Sequence, residues 1–321
     1  MIVLCILGPT ASGKTDLAIR LALHLNGEVV SCDSMQIYRG MDIGTAKPNK
    51  EEQQGVPHHM LDVADPSEPY SAAQYAAGAS ACIEDILSRG RLPIICGGTG
   101  LYLDVLLSGI HESGEHDEIY REELAGRIKH EGLPPLHAEL ACVDPESASR
   151  ISPNDGRRII RALEVYRTTG MPLSKHHELS KLLPARYDAL LLGIRFGDRT
   201  VLYEQIDKRA DRMMAAGLFA EVRTVLEQIP PPCHTAMQAI GYKEFAAVLR
   251  GEISIETAVS QIKQSSRRLA KRQMTWFKKT PDIHWLETSG AGQTPSLFEQ
   301  ALQTIAAFGC KQSGSRIQKS E

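Results

Sequence analysis

Residues 8–15 of this chain read Gly8-Pro9-Thr10-Ala11-Ser12-Gly13-Lys14-Thr15, and this stretch decides the fold class. It matches the pattern G-x-x-x-x-G-K-[ST] of phosphate-binding loops, with an apolar strand-like run before it and a helical pattern after it. The glycines let backbone N–H groups curve around phosphate oxygens, and the start of the helix adds partial positive charge. Lys14 supplies a cation, and the Thr15 hydroxyl is placed to bind Mg²⁺. We therefore predict a phosphate-binding site made of Gly8, Thr10, Ala11, Ser12, Gly13, Lys14 and Thr15. The motif alone does not distinguish a triphosphate from a diphosphate.

The sequence around this phosphate loop alternates strand and helix patterns. Short β-rich runs predict strands at 2–7, 28–31, 92–96, 189–196 and 283–286. Helical patterns occupy 14–25, 72–88, 200–216, 220–228 and 255–278. Such alternation is typical of a parallel sheet with helices on both faces. The predicted fold class is α/β, with a P-loop NTPase-like core.

A different pattern fills the middle of the chain. Residues 116–181 contain charged helical segments and no convincing strand, with one clear helix at 156–169 that Asn154 or Asp155 can cap. We predict a core of residues 1–112 and 186–308, interrupted by a mostly helical insertion at 113–185. The polar run Lys311-Gln312-Ser313-Gly314-Ser315 predicts a flexible tail at 309–321.

Composition narrows the possible functions. The 321 residues are 42% apolar and carry a net charge of −3, so a nucleic-acid partner would have to meet a local basic patch. The seven cysteines include no C-x-x-C pair, which argues against a disulfide framework and against a zinc ribbon. No run approaches the roughly 18 to 20 apolar residues that cross a bilayer. We expect a soluble, monomeric protein of the reducing cytoplasm, with no membrane partner.

The position of the acidic residue separates this chain from nucleotide hydrolases. P-loop ATPases and GTPases place a magnesium-binding acid at the end of a second strand. Here the predicted strand 92–96 runs into Gly97-Gly98-Thr99-Gly100, and the nearest carboxylate at a strand end is Asp33. Because the carboxyl ends of parallel strands gather around the ligand crevice, Asp33 should lie near the phosphate site. The alternative is an aspartate that only shapes a turn or caps a helix.

Several blocks of sequence together resemble the tRNA dimethylallyltransferase (isopentenyl-tRNA transferase) family. The likeness covers about residues 2–287 and includes the phosphate loop. The other matching blocks are DSMQIYRGMDIGTAKP at 33–48, PHH at 57–59, DP at 65–66, GGTGLY at 97–102, RRIIRALE at 157–164, GY at 241–242 and RLAKRQMTW at 268–276.

The resemblance implies a reaction and a set of residues. The phosphate loop would hold dimethylallyl diphosphate, and the dimethylallyl group would pass to N6 of adenine 37, beside the anticodon of tRNA, with release of pyrophosphate. By the same resemblance, Asp33 is the general base, Thr15 serves the magnesium diphosphate, and Arg209 stabilises the departing pyrophosphate. The implied tRNA contacts are Asp33, Ser34, Met35, Gln36, Thr99, Arg157, Arg158 and Arg161. The chain lacks the C-terminal zinc finger of eukaryotic members, which indicates the bacterial form.

The chemistry of the residues supports most of these roles. An exocyclic adenine amine is a poor nucleophile, and a carboxylate that takes its proton removes that obstacle. Lys14, the loop amides, Mg²⁺ and an arginine are suited to the charge of leaving pyrophosphate. For Arg209 the sequence alone favours another explanation, an exposed helix charge paired with Asp207 or Asp211.

Two basic segments are candidates for holding the anticodon stem-loop, whose target base must leave its stack. Arg157 and Arg161 share one helix face, with Arg158 beside them. A second group on the last long helix comprises Lys263, Arg267, Arg268, Lys271, Arg272 and Lys278. A solvated surface is the common explanation for such charges, but their density favours a phosphate-binding track. The histidines at 58, 59, 176 and 177 lack metal-site spacing, and Trp276 and Phe277 are interpreted as packing residues.

Three other functions share parts of this pattern. A P-loop kinase of a small metabolite would use the same loop and a strand-end aspartate, and an RNA-binding module could use nucleotide only as a switch. Release of pyrophosphate without ATP would exclude both. An enzyme that prenylates free AMP is closer, but the helical insertion and the basic helix favour a macromolecular acceptor.

Overall fold

The computed structural model describes residues 2–109, 117–228, 233–290 and 294–317. It divides into two compact units, Met1–Leu106 with Tyr187–Glu321, and Leu107–Arg186. The sequence placed the corresponding boundaries at 113 and 185. The first of these falls within 110–116, outside the described residues.

The larger unit is built on a six-stranded parallel sheet with the order β3-β2-β4-β1-β5-β6. The strands are β1 (Ile2–Leu7), β2 (Gly27–Cys32), β3 (His58–His59), β4 (Leu92–Gly97), β5 (Asp188–Phe196) and β6 (Ile283–Thr288). Leu4 of β1 lies in register with Ile94 on one side and Leu190 on the other. The predicted parallel α/β sheet is confirmed. Only β3 was missed, because two residues are too short to show a period.

Helices cover the sheet and form the second unit. They are α1 (Lys14–Leu25), α2 (Ala72–Ser88), α3 (Gly100–Ser108), α4 (Glu118–Glu131), α5 (Pro134–Val143), α6 (Pro145–Arg150), α7 (Gly156–Thr169), α8 (Leu173–Leu182), α9 (Arg199–Ala215), α10 (Leu218–Gln228), α11 (His234–Met237), α12 (Tyr242–Leu249), α13 (Ile255–Phe277) and α14 (Thr294–Ile317). None of the helices in the described ranges is long and apolar enough to cross a membrane.

The larger unit has two main apolar cores. One lies between the sheet and helices α1 and α14, where Leu17, Leu192 and Leu297 are buried together. The other joins α9, α10, α12 and α13 to the segment after β2 and includes Ile37 and Phe245. The second core carries the helices that reach the carboxyl edge of the sheet.

The C-terminal segment differs from the prediction of a tail from residue 309. Helix α14 continues to Ile317, and residues 318–321 lie outside the described part. Its earlier turns are anchored because Leu302, Ile305 and Phe308 pack on the sheet-side core. Once a helix has formed, adding a residue costs little compared with nucleation, so the polar composition alone did not end the helix.

The smaller unit, in its described residues, contains helices α4–α8 and no strand. Leu124, Leu136 and Ile159 belong to its apolar core. Asp155 caps α7 by accepting a hydrogen bond from the Arg158 backbone N–H, and Gly170 ends the helix in the left-handed conformation. Both ends of α7 therefore match the sequence pattern.

Candidate active site

Three neighbouring strands bring the predicted residues to one edge of the sheet. The phosphate loop follows β1, Asp33 follows β2, and Gly98 and Thr99 follow β4. These segments line a cavity of about 320 Å³. Among its lining residues are Thr10, Lys14, Thr15, Asp33, Ser34, Met35, Gln36, Thr99 and Arg209. The structure therefore brings together the predicted cations and five of the predicted tRNA contacts, one of which, Asp33, is also the predicted base.

The phosphate loop has a backbone suited to binding an anion. Gly13 adopts a φ of 82° immediately before α1, and Ala11 also lies in the left-handed region with a φ of 62°. The N–H groups in the first turn of α1 have no partner within the helix. Ser12 Oγ is buried and has no hydrogen-bond partner within the described residues. Free amides and an unpartnered hydroxyl are donors that a phosphate can use.

Two cations and one carboxylate interact across the cavity. Burial lowers the pKa of Lys14, and the positive charge of Arg209 lowers it further, whereas Cys96 and Asp33 act in the opposite direction. Burial also lowers the pKa of Arg209, although a guanidinium stays charged. Because both cations are partly desolvated, a bound diphosphate would relieve an unfavourable arrangement.

The two aspartates near Arg209 on α9 form ion pairs with other residues, not with Arg209. Asp207 accepts from Arg267 at 2.8 Å, and Asp211 pairs with Lys263 at 2.6 Å. Arg209 makes no ion pair with a described residue and lines the cavity instead. The explanation that paired it with Asp207 or Asp211 is wrong, because α13 supplies other partners for both aspartates.

These ion pairs also correct the prediction of a basic track along α13. Lys263 and Arg267 are committed to α9, so their charges are neutralised within the protein. The exposed cations of this group that make no ion pair with described residues are Arg268, Lys271, Arg272 and Lys278. Only this second set remains a candidate for binding phosphate.

Asp33 combines a turn role with an open oxygen. Its Oδ1 accepts a hydrogen bond from the Met35 backbone N–H at 2.9 Å, which forms the turn expected of an aspartate after a strand. Its Oδ2 has no hydrogen-bond partner among the described residues. One carboxylate oxygen therefore fixes the local backbone while the other can accept a proton.

The polar neighbours of Asp33 are largely used within the protein. Thr99 Oγ1 accepts from the Ser34 backbone N–H at 3.1 Å and donates to Ser34 Oγ at 3.4 Å. Gln36 Oε1 accepts from Ser31 Oγ at 3.0 Å, and Gln36 Nε2 donates to two loop carbonyls, those of Thr45 and Ala46, at 3.2 Å each. These side chains shape the cavity, which limits the hydrogen bonds they can offer to a ligand.

A second cavity, of about 730 Å³, shares part of its lining with the first. Ser12, Gly13 and Arg212 line only this second cavity. The residues that line both cavities are Lys14, Thr15, Ala46, Arg209 and Met213. A ligand bound by these shared residues could therefore be approached from either cavity.

The site fits a metal ion that arrives with a phosphate ligand. Within the described residues there is no group of three or more histidine, cysteine, aspartate or glutamate side chains that could hold a metal. Thr15 and Asp33 provide hydroxyl and carboxylate oxygens in the same cavity, and hard cations such as Mg²⁺ prefer oxygen ligands. Mg²⁺ usually keeps several waters and binds through substrate phosphates, so these few oxygens suffice.

The three arginines of α7 have different surroundings. Arg157 is exposed and makes no ion pair with a described residue, whereas Arg158 lies 3.3 Å from its own helix cap, Asp155. Arg161 Nη1 donates to Glu164 Oε2 at 2.5 Å, and Glu164 is fully buried. On the helix face predicted for both residues, Arg157 is therefore available to a ligand, whereas Arg161 is bound to Glu164.

Sequence reasoning did not identify Gln273 of α13, which lines the first cavity. The pattern offered one weak signal, a glutamine between apolar helix positions. Of the two aromatic residues after it, Phe277 is buried as predicted, while Trp276 is 39% exposed and donates to Asp104 Oδ2 at 3.1 Å.

Comparison with known proteins agrees with this arrangement. The family model described as IPP transferase matches residues 36–280, and that described as Isopentenyl transferase matches residues 1–69. The tRNA dimethylallyltransferase of Geobacter metallireducens is 47% identical over 301 residues, which are 94% of this chain and 95% of that protein. The tRNA dimethylallyltransferase 1 of Pelobacter propionicus is 50% identical over 306 residues, covering 95% of this chain and 97% of that protein.

Solved structures show the same similarity. The tRNA isopentenylpyrophosphate transferase of Bacillus halodurans is 38% identical with a TM-score of 0.70, and the match covers 97% of this chain and 99% of that one. A eukaryotic dimethylallyltransferase acting on tRNA is 28% identical with a TM-score of 0.82, over 97% of this chain and 80% of that one. Since the family model spans most of the sequence and relatives match nearly all of it, this chain belongs to the IPP transferase family, whose similar members described above are tRNA dimethylallyltransferases.

Proposed function

We propose that this chain transfers a dimethylallyl group from dimethylallyl diphosphate to N6 of adenine 37 in tRNA, beside the anticodon, and releases pyrophosphate. The observation that carries the proposal is the cavity shared by one open carboxylate, Asp33, and two half-buried cations, Lys14 and Arg209. A member of this family needs a proton acceptor and an anion site within reach of one reacting carbon, and this cavity contains both.

The donor side is served by the phosphate loop. In the reaction the bond between the allylic carbon and the diphosphate oxygen breaks, and its electron pair leaves with pyrophosphate. Lys14, Arg209 and the free amides at the start of α1 would stabilise that charge. Lys14 and Arg209 line both cavities, so a diphosphate that they hold would be open to an acceptor in the first cavity.

The acceptor side is served by Asp33. The N6 nitrogen forms the new C–N bond and loses one proton, which Oδ2 of Asp33 would accept. Oδ1 stays in the turn with Met35 N–H, so the base is held in place during the transfer.

Magnesium is the proposed cofactor. Thr15 is the residue that would bind it together with the diphosphate. When bound, the ion would neutralise charge on the leaving group.

The acceptor is proposed to be the anticodon stem-loop of tRNA, which implies a cytoplasmic protein, and we expect it to act as a monomer. The target adenine must leave its stack to reach a cavity of this size. Arg157 and the exposed cations Arg268, Lys271, Arg272 and Lys278 are side chains available to hold phosphates, since they are not paired within the described residues. Ser34, Met35, Gln36 and Thr99 would shape the pocket that receives the base.

The decisive experiment incubates the protein with dimethylallyl diphosphate, Mg²⁺ and unmodified tRNA, without ATP. Nucleoside mass analysis should find N6-dimethylallyladenosine, and pyrophosphate should appear in equal amount. A transcript with guanine at position 37 is the matched control and should remain unmodified. Prenylation of free AMP but not of tRNA would contradict the proposed acceptor. In a parallel reaction with ATP added, ATP consumption without prenyl transfer would support the kinase alternative.

A further inference from the structure

A carboxylate on α10 binds a loop that forms part of both cavity walls. Glu221 Oε2 accepts hydrogen bonds from the backbone N–H groups of Asp42 at 3.0 Å and Ile43 at 2.7 Å. Its Oε1 accepts from the Gly44 N–H at 2.9 Å and from the Tyr242 hydroxyl at 2.5 Å. Four donors thus converge on one side chain, and three of them are consecutive backbone amides.

The arrangement requires a carboxylate. Consecutive amides that point to one spot form an anion-binding nest, and hydrogen bonds to an ionised acceptor are about twice as strong as neutral ones. Glu221 makes no ion pair with a described lysine or arginine, so these four donors satisfy its charge within the described residues. A glutamine would replace one acceptor oxygen by an amide group whose hydrogens meet other donors.

The packing around this carboxylate is tight. Tyr242 is fully buried, and burial together with its hydrogen bond to Glu221 raises the pKa of its hydroxyl far above the ordinary value. A Cβ added to Gly44 would lie 2.5 Å from a ring carbon of Tyr242. Only glycine fits there, so the loop backbone is pressed against the aromatic ring as well as bonded to Glu221.

The held loop leads to the proposed base. Gly44, Thr45 and Ala46 line the first cavity, and Asp42, Ile43 and Ala46 line the second. The carbonyls of Thr45 and Ala46 accept from Gln36 Nε2, and Gln36 is three residues after Asp33 in the same turn segment. Two sets of hydrogen bonds, joined by the backbone of residues 44–46, therefore connect Glu221 to the segment that carries Asp33.

We propose that Glu221 is a positioning residue for the transfer reaction. It fixes the loop 42–46 and, through Gln36, the orientation of Asp33 relative to the phosphate loop. The inference rests on the proposed function, because Asp33 must be the base for its orientation to matter. Glu221 itself is not among the residues that line either cavity.

The first test compares Glu221→Gln with Glu227→Gln, an exposed glutamate on the same helix. With both substrates saturating, the single-turnover rate of Glu221→Gln should fall by about 100-fold, because a misplacement of about 1 Å can cost that much. The dissociation constant of pyrophosphate should change by less than about threefold, since the phosphate loop is untouched. Glu227→Gln should match the wild type in both measurements. An unchanged rate in Glu221→Gln would overturn the proposal, and so would equal losses of rate and pyrophosphate affinity.

The second test is chemical rescue. Glu221→Ala leaves the three amides and the Tyr242 hydroxyl without their acceptor, so sodium acetate should restore part of the lost rate. Sodium chloride at equal ionic strength should not, and it controls for the salt dependence of tRNA binding. Tyr242→Phe removes one of the four donors and should lose less rate than Glu221→Gln. Two results together would overturn the proposal. Acetate would have to restore no more of the Glu221→Ala rate than chloride does, and Tyr242→Phe would have to keep the wild-type rate. If the wild-type protein forms no prenylated tRNA, the proposed function fails instead.

Discussion

Gln273 Oε1 accepts a hydrogen bond from the backbone N–H of Thr10 at 2.8 Å, across 263 positions of sequence. The Nε2 of the same side chain donates to the Gly98 carbonyl at 3.1 Å. One buried amide thus ties the phosphate loop after β1 to the loop after β4. The Thr10 amide therefore helps to fix the phosphate loop.

Replacing Gln273 should weaken the use of the donor. Gln273→Met keeps the volume but leaves the Thr10 N–H and the Gly98 carbonyl without partners, which costs about 1–3 kcal/mol of folding free energy. We expect the KM for dimethylallyl diphosphate to rise by about tenfold, equivalent to about 1.4 kcal/mol, with little change in tRNA affinity. Gln264→Met, at an exposed position of the same helix, is the control. A lower melting temperature with an unchanged donor KM would make Gln273 a structural tie only.

Removing Arg209 should affect turnover more than stability. Its guanidinium lines both cavities and pairs with no described residue, so the charge is available to the leaving group. Loss of one such donor typically lowers kcat by about 10² to 10³. Arg209→Gln should show this loss in single-turnover experiments, whereas Lys208→Gln, on the exposed side of the helix, should not. Similar rates for the two variants would remove Arg209 from the mechanism.

Asp33→Asn should separate binding from transfer. The amide oxygen can still accept from Met35 N–H, so the turn is retained, but the proton acceptor is lost. Turnover should fall by about 10² to 10⁴ while pyrophosphate binding persists. The measurement is a single-turnover rate beside a pyrophosphate titration. A near-normal rate would show that another group takes the N6 proton.

Sequence analysis predicted the elements whose structure depends on local patterns. The strand before the phosphate loop and helix α1 have the predicted bounds, because the glycines, the lysine and the apolar period all act locally. The placement of Asp33 near Lys14 was also predictable, since it follows from the rule that parallel strands end at one edge.

The features that the sequence did not predict depend on contacts between residues far apart in the chain. The orientation of Arg209 depends on Arg267 and Lys263 occupying the neighbouring aspartates, and both belong to a helix about 60 residues later. The contact of Glu221 with the loop after β2 depends on how α10 and α12 pack, which no local period reports. Side chains that hold a site together through such contacts are therefore the ones that sequence analysis overlooks.

Glu164 should give the smaller unit a defined acid response. Although burial opposes its ionisation, hydrogen bonds from Arg121 and Arg161 hold the pKa of Glu164 at about 2. A carboxylate with a lowered pKa contributes stability above its ordinary pKa of 4.5, and this contribution is lost as the pH falls towards about 2. The shift corresponds to roughly 3 kcal/mol at neutral pH, as an upper value.

Denaturant unfolding of the wild type and Glu164→Gln at several pH values tests this. The variant should be less stable at pH 7, and the difference should shrink between about pH 4.5 and pH 2. Glu178→Gln is the control, because its exposed pair with Lys175 should contribute little. A difference that does not depend on pH would contradict an ionised Glu164.

Salt dependence of tRNA binding distinguishes the arginines of α7. Arg157 is open, whereas Arg161 is engaged by buried Glu164, so Arg157 is the better candidate for a phosphate contact. Each neutralised phosphate releases a condensed counterion and contributes up to about −0.9 to the log–log slope on duplex nucleic acid, or about −0.7 on single strands. Arg157→Ala should flatten the slope by somewhat less than one unit and leave the KM for dimethylallyl diphosphate nearly unchanged.

The control is Arg150→Ala, which removes the same charge from an exposed arginine paired with Glu146 in the same unit. If the two variants flatten the slope equally, the effect reports only net charge. If neither changes the slope or the affinity, α7 presents a solvated face and the anticodon stem-loop is held elsewhere.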